Sequence, residues 1–249
     1  MSSMINQLQH WEFGAAGILH PTKSTLRRYY ELVHKTSKIK GDIAEFGVSR
    51  GASIITTGLL SKELNMGKKI FGFDTFSGFP SYHKNDEIEI FDQLLTKNLI
   101  SKNHYMKIKK NLSYVKIRTQ KISAATISNS LDFSSNNIEL VQQKIIHFGL
   151  QNHVILKQGD FTKNLKNKLR GLKFSLVLMD CDLYNSYSQT LPIIWEHLNI
   201  GGYIYLDEYY SLKFPGPRIA VHEFLSNVDC KLIKYKNWLD FERWALYKL

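Results

Sequence analysis

A doubly wound α/β fold with a mostly parallel sheet is predicted for this chain, on three observations. Short apolar runs alternate with helix-like segments along most of its length. Two of the runs, Lys69-Ile70-Phe71-Gly72-Phe73-Asp74 and Phe174 to Met179, show little polar–apolar alternation, as strands buried on both faces do. The first run, Ile43-Ala44-Glu45-Phe46-Gly47-Val48, breaks into a glycine turn with a helix opening behind it, which is how such a sheet presents a ligand at its first strand.

The elements follow in order. Residues 1–40 read as a helical preamble, with Leu26, Tyr29, Tyr30 and Leu32-Val33 at helix spacing. The first strand is expected over Asp42 to Val48 and a helix over Gly51 to about Asn65. The second strand ends at Asp74. The stretch 81–135 fits no simple strand–helix alternation beyond one helix at Asp86 to Leu99, and is read as an inserted lid. A helix over Ile138 to Phe148, a short strand over His153 to Lys157 and a basic helix to Arg170 come next. The strand Phe174 to Met179 leads to a helix over Ser186 to Leu198, ended by Gly201-Gly202, and to a strand over Tyr203 to Leu206. After a helix near Arg218 to Leu225, strands at Lys231 to Tyr235 and Phe241 to Tyr247 read as a terminal hairpin, the sixth and seventh strands. The 249 residues are expected to form one domain.

The first turn has a chemical meaning. From Gly47, the next two glycine positions of a dinucleotide fingerprint hold Ser49 and Ala52. A phosphate-cradling loop needs Gly-Lys-Ser/Thr, but Gly51 is followed by Ala52 and Ser53. What remains is E-x-G-x-x-x-G, the pattern of S-adenosylmethionine sites. Gly47 admits a close backbone approach to a ligand, Gly51 lets the helix start pack near the strand, and Glu45 suits an amine. Asp74, at the end of the second strand, can accept both hydroxyls of a ribose.

Two later strands end in acids, Asp180-Cys181-Asp182 and Asp207-Glu208. In a doubly wound sheet both ends open on one crevice. Unpaired carboxylates at close range repel, a divalent cation relieves the repulsion, and oxygen-only ligands select a hard ion such as Mg²⁺. Asp182 is the member of its pair better placed to reach outward, and a carboxylate there can take the proton of a substrate hydroxyl. The alternative for each pair is a helix cap or a salt bridge to a lysine.

Composition sets bounds. Hydrophobic residues at 43% and aromatics at 12% are those of a globular protein. No apolar run approaches the roughly 18–20 residues of a membrane span, no signal peptide is read at the N-terminus, and two cysteines without metal or disulfide spacing point to a reducing cytoplasm. The net charge is +11, with eight Lys or Arg and no acid between Lys97 and Lys121. That segment reads either as a solvated face or as a clamp for a phosphate-bearing substrate.

With these residues assembled, the chain resembles the macrocin O-methyltransferase family. The resemblance is carried by Gly41-Asp42-Ile43-Ala44-Glu45-Phe46-Gly47-Val48, Asp74-Thr75-Phe76-Ser77-Gly78-Phe79-Pro80, Phe148-Gly149-Leu150, Asp180-Cys181-Asp182-Leu183-Tyr184-Asn185-Ser186, and Gly201-Gly202-Tyr203 running to Asp207-Glu208-Tyr209. It implies a Rossmann-like, seven-stranded methyltransferase that uses S-adenosylmethionine and Mg²⁺ to methylate a sugar hydroxyl. By resemblance, Asp182, Asp207 and Glu208 hold the metal and Asp182 is the general base. Glu45, Gly47, Ser53, Asp74, Asp160 and Asp180 are the expected cofactor-binding residues. Two positions depart from the family. Glu208 stands where Asp is common, and Asp160 where an aromatic residue is common; an acid at 160 suits the adenine amino group. The expected partner is a small sugar-containing acceptor, with assembly into a homo-oligomer left open. A nucleic-acid methyltransferase, with Phe91, Tyr105 and Tyr114 stacking bases, is the runner-up, but no RNA-binding motif accompanies those aromatics. A silent relative that only binds cofactor is the third reading.

Overall fold

Seven strands form one sheet in the order β3-β2-β1-β4-β5-β7-β6, in a computed structural model that describes residues 26–235 and 241–249. The part of the preamble before Leu26 lies outside the described residues. The strands are β1 (Asp42–Phe46), β2 (Ile70–Asp74), β3 (Val154–Gln158), β4 (Phe174–Met179), β5 (Leu198–Leu206), β6 (Lys231–Tyr235) and β7 (Arg243–Tyr247). The first five pair in parallel, whereas β7 pairs antiparallel with both β5 and β6. The expected doubly wound sheet with a terminal hairpin is therefore what forms. Its order reverses between β1 and β4, the switch point at which such sheets open a crevice.

Strand periodicity divides the core into two layers. Successive side chains point to opposite faces, so Leu176 and Leu178 join Ile43, Ile70 and Tyr205 on one side. Val177 and Met179 join Ala44, Phe46, Phe73 and Ile204 on the other. The first layer is covered by α1 (Arg27–Lys35), α2 (Ala52–Glu63) and α6 (Ile138–His147), and the second by α8 (Tyr184–His197) and α9 (Gly216–Leu225). Tyr29, Tyr30, Leu32 and Val33 of α1 are buried, as their spacing predicts. Each fully buried large side chain contributes on the order of 1.5–3 kcal/mol of transfer free energy. Phe46 and Phe73 stack at 4.6 Å in the second layer, directly below the crevice strands.

The insertion is more regular than its sequence suggests. It folds as a 3₁₀ turn (Lys84–Asp86), α3 (Ile90–Thr96), α4 (Lys102–Arg118) and α5 (Ala124–Ile127). The helix expected over Asp86 to Leu99 thus begins only at Ile90, because Asp86 is spent as an anchor: it is fully buried and accepts the His83 and Tyr184 N–H groups at 3.0 and 2.7 Å. Phe91, Leu94, Ile100 and Ile108 pack with Leu212 and Ile219, and Val115, Ala124 and Ile127 pack with Leu183 and Phe214. The insertion is therefore a helical cap docked on the segment after β5.

Two further boundaries differ. Gly201-Gly202 do not end a helix but lie inside β5, where the register against β4 shifts between Phe174 and Leu176. Gly201 has φ +79°, and a Cβ on Gly202 would come within 2.8 Å of the Asn199 carbonyl, so the glycines mark an irregularity in the strand. The basic helix expected up to Arg170 is one turn, α7 (Leu165–Lys168). Among the described residues no helix is long and apolar enough to cross a membrane.

Candidate active site

The C-terminal ends of the parallel strands open into one cavity of about 430 Å³. Gly47, Ser53, Asp74, Asp160, Asp180, Asp182, Asp207 and Glu208 all line it, and Phe79, Phe133, Phe161 and Leu26 supply apolar wall. Of the residues expected from sequence, Glu45 alone does not. It is fully buried beneath the turn, accepts the Ser53 hydroxyl at 2.5 Å, and leaves Oε2 without a partner. Burial pushes its carboxyl well above the usual range, and Asp180 and Asp74 add to the rise.

The glycines of the turn are required for packing. Gly47 has φ +93°, and a Cβ there would lie 1.7 Å from the Asp180 carbonyl oxygen. Its freedom lets the ends of β1 and β4 touch at the wall of the cavity. Gly51 has φ +84° and faces Val141 of α6, 2.7 Å from a built Cβ, so it accommodates a neighbouring helix rather than the strand.

Asp74 organises the turn. Its Oδ2 accepts the Val48 and Ser49 N–H groups, both at 2.8 Å, and its Oδ1 accepts the Phe76 N–H at 2.7 Å. A carboxylate has about four acceptor sites, so little capacity remains for a ribose. We expect Asp74→Ala to loosen the turn and weaken cofactor binding together, by about 1–3 kcal/mol, the range for buried donors left unpaired. Thermal melting and calorimetric titration with S-adenosylhomocysteine measure the two effects, and an unchanged value in both would remove Asp74 from this role. Asp160 is likewise engaged. Against burial, which acts to raise it, two Thr162 hydrogen bonds at 2.5 and 3.0 Å and Lys163 at 3.4 Å hold its carboxyl below the usual value.

The acids of β4 and β5 form the centre of the cavity. The sequence reading groups Asp182 with Asp207 and Glu208; the structure brings Asp180, Asp207 and Glu208 together, each offering an oxygen within 4.8 Å of the others. Burial and the charges of Asp207 and Asp182 raise Asp180 to about 8. Burial and repulsion from Asp180 and Asp182 raise Glu208 well above the carboxylate range. Asp207 Oδ1 is buried and, among the described residues, accepts no hydrogen bond, with Arg243 Nη1 3.8 Å away. An orphaned oxygen among mutually repelling carboxylates fits a hard divalent cation.

Asp182 stands beside this trio on a different backbone. It has φ +62°, and the Leu183 N–H bonds the Cys181 carbonyl across it at 2.7 Å, a three-residue turn that aspartate tolerates better than most residues. Burial raises its carboxyl to about 7, with Lys213 opposing the rise. Lys213 was not foreseen, nor was Tyr187, whose hydroxyl is 2.6 Å from Glu208 Oε2 and 2.8 Å from the Met179 carbonyl. Lys213 lies in an irregular segment and Arg243 on a distant strand, so neither carries a pattern near the strand-end motifs. Tyr187, three residues past Tyr184 on α8, has no reading of its own in the sequence beyond its place in a helix. Conversely, none of the eight cationic residues between Lys97 and Lys121 lines this cavity. Arg118 instead donates to the carbonyls of Thr126, Ile127 and Ser128, closing the cap on itself.

Comparison with known proteins bears on the fold and the family. No curated protein matches the sequence significantly. The fold is shared with the O-methyltransferase NovP, with 19% identity over 90% of this chain and 79% of that one and a TM-score of 0.63. It is shared also with the calicheamicin methyltransferase CalS11, with 19% identity over 89% and 77% and a TM-score of 0.60. The SAH-bound methyltransferase PaMTH1 of Podospora anserina matches over 100% and 93% of the two chains, with 11% identity and a TM-score of 0.53. The family model for macrocin O-methyltransferase (TylF) matches residues 23–122 and 118–235. The chain therefore belongs to the macrocin O-methyltransferase family and is an O-methyltransferase.

Proposed function

We propose that this enzyme transfers the methyl group of S-adenosylmethionine to a hydroxyl of a sugar-containing small molecule, assisted by a hard divalent cation and a carboxylate base. One observation carries the reading: in a chain of net charge +11, six carboxylates but, among the described residues, only Arg50 and Lys213 as cations line the cavity at the strand ends. Such a lining suits a cofactor bearing sulfonium and ammonium charges together with a metal ion. A sugar acceptor is supported by CalS11, described as a TDP-rhamnose 3'-O-methyltransferase, which has this fold. The nucleic-acid alternative gains nothing from the basic stretch, which lies outside the cavity lining.

In this account Asp207 and Glu208 hold the ion, and Asp180 completes the set. When bound, the ion supplies positive charge that lowers the pKa of an acceptor hydroxyl. The chain's own residues do the rest. Asp182 accepts the hydroxyl proton at its carboxylate, and Lys213 favours its ionised form beforehand. Tyr187 fixes the carboxylate of Glu208, and Asp74 fixes the turn against which the cofactor lies. Phe79, Phe133 and Phe161 exclude water from the transfer path.

Label transfer from S-adenosylmethionine to TDP-linked and free sugars, with and without chelator, tests the reading. Transfer to a sugar hydroxyl that stops in chelator is expected; transfer that persists in excess chelator, or onto RNA instead, contradicts it. Glu208→Asp should keep an ion ligand, whereas Glu208→Ala should raise the Mg²⁺ concentration for half-maximal activity by roughly 10–100-fold, the range for disturbed metal sites. Equal Mg²⁺ dependence of the alanine variant and the wild type would remove Glu208 from the ion's ligands.

A further inference from the structure

A second cavity, of about 440 Å³, lies where the start of α4 meets α9 and the terminal hairpin. Among the described residues it shares no lining residue with the first, and its lining holds three cations, Lys102, Arg218 and Lys234, and one carboxylate, Glu242. Glu242 is already engaged, by Lys234 and by the Trp244 indole N–H at 3.1 Å.

Arg218 is the anomaly. It is only 7% exposed, yet among the described residues it has no ion pair, and its Nε has no hydrogen-bond partner. Its guanidinium lies 3.8 Å from the centre of the Tyr209 ring. A cation–π contact, even desolvated, offsets only part of what burying an unpaired ion costs. A buried guanidinium in this state is short of an anion.

A second group in the same lining is also unsatisfied. His104 is 2% exposed and stacked on Tyr210 at 3.8 Å. The Ser211 carbonyl, 2.8 Å from Nε2, can only accept, so Nε2 carries the proton. Nδ1 is left with a lone pair and, among the described residues, no partner. Beside it begins the 17-residue α4, whose Ser101 cap takes the His104 N–H at 3.1 Å. The amides of Lys102 and Asn103 have no partner within the helix, and the helix start favours negative charge.

We propose that this cavity binds a phosphate group, as the free ion or as a phosphomonoester, with its oxyanion on Arg218, Lys102 and the start of α4 and a hydroxyl donating to His104 Nδ1. A phosphate provides both halves of what is missing, anionic oxygens for the guanidinium fork and an O–H for the imidazole. The site is independent of the methyl-transfer reading and does not fail with it.

Nitrogen-15 NMR of the full chain, saturated with S-adenosylhomocysteine to occupy the first cavity, tests the proposal. The Trp244 indole and His104 ring signals report on the site while inorganic phosphate or glucose 1-phosphate is added. Both signals are expected to shift saturably at millimolar ligand. Equal affinity for the two probes assigns the site to the free ion, and tighter glucose 1-phosphate assigns it to an ester. Lys102→Glu alters an exposed residue and leaves the fold intact; Arg218→Lys keeps the charge but loses the fork. Each should weaken binding about tenfold or more, the loss of a hydrogen bond to a charged group. Absence of shifts at these signals, or affinities unchanged in both variants, overturns the site.

Discussion

Asp182→Asn is expected to lower kcat by roughly two to four orders of magnitude, the contribution of a positioned general base, with cofactor affinity near that of the wild type. Asparagine is the informative replacement because residue 182 sits at φ +62°, a conformation that Asn also tolerates. The substitution removes the proton acceptor with no change of side-chain shape. It also removes a carboxylate that burial has raised to about 7, so the folded protein should be no less stable. Steady-state rates with a sugar acceptor, beside calorimetry with S-adenosylhomocysteine, separate the two quantities. A kcat within a few-fold of the wild type would move the base elsewhere in the cavity.

Gly47→Ala is expected to have the largest effect on stability. A methyl group at this position meets the Asp180 carbonyl at 1.7 Å, and the backbone holds φ +93°. Neither conflict can be relieved by a flexible side chain, because both partners are main chain of adjacent buried strands. A loss of about 4 kcal/mol or more follows, the range of overpacking combined with strain at special backbone angles. For a chain of this size that is about 8–16 °C in Tm. Any folded fraction should also lose ion binding, since Asp180 must move. A variant that melts within a degree or two of the wild type would show that β1 and β4 do not meet in this way.

The parts of this molecule legible in its sequence are those where one residue type does one physical job over a short range. The apolar runs of β2 and β4 could only be strands buried on both faces, and both are fully buried. Acids at consecutive strand ends had to converge once the sheet was doubly wound. Contacts made across the chain were not legible. That Gly47 also makes room for the Asp180 carbonyl was hidden, because that residue is 133 positions away. Gly201-Gly202 reads as a helix end because a strand irregularity leaves the same mark. The choice between Asp180 and Asp182 as partner of Asp207 and Glu208 depends on the turn at residue 182, which residue identity does not dictate. On charge alone Lys97 to Lys121 reads either as a solvated face or as a substrate clamp; the apolar positions Ile108 and Val115 turn α4 toward the cap's own core.

The central claim, that the carboxylates at the ends of β4 and β5 form a cation site, can be tested without an acceptor by thermal melting as a function of pH, with and without Mg²⁺. Asp180 is raised to about 8 and Asp182 to about 7 in the folded protein, whereas an unfolded aspartate titrates at about 4. At these two sites the folded state binds more protons than the unfolded state between about pH 4 and 8, while the buried His104, lowered to about 4, works the other way up to its unfolded value of about 6.5. Above about pH 6.5 His104 is neutral in both states, and stability should fall as pH rises through the window from there to about 8. Mg²⁺ binds the ionised cluster and should restore Tm, increasingly so toward pH 8, in the wild type but not in Asp207→Asn. A Tm that is flat across the window without metal, or a Mg²⁺ effect of equal size in Asp207→Asn, would contradict the account.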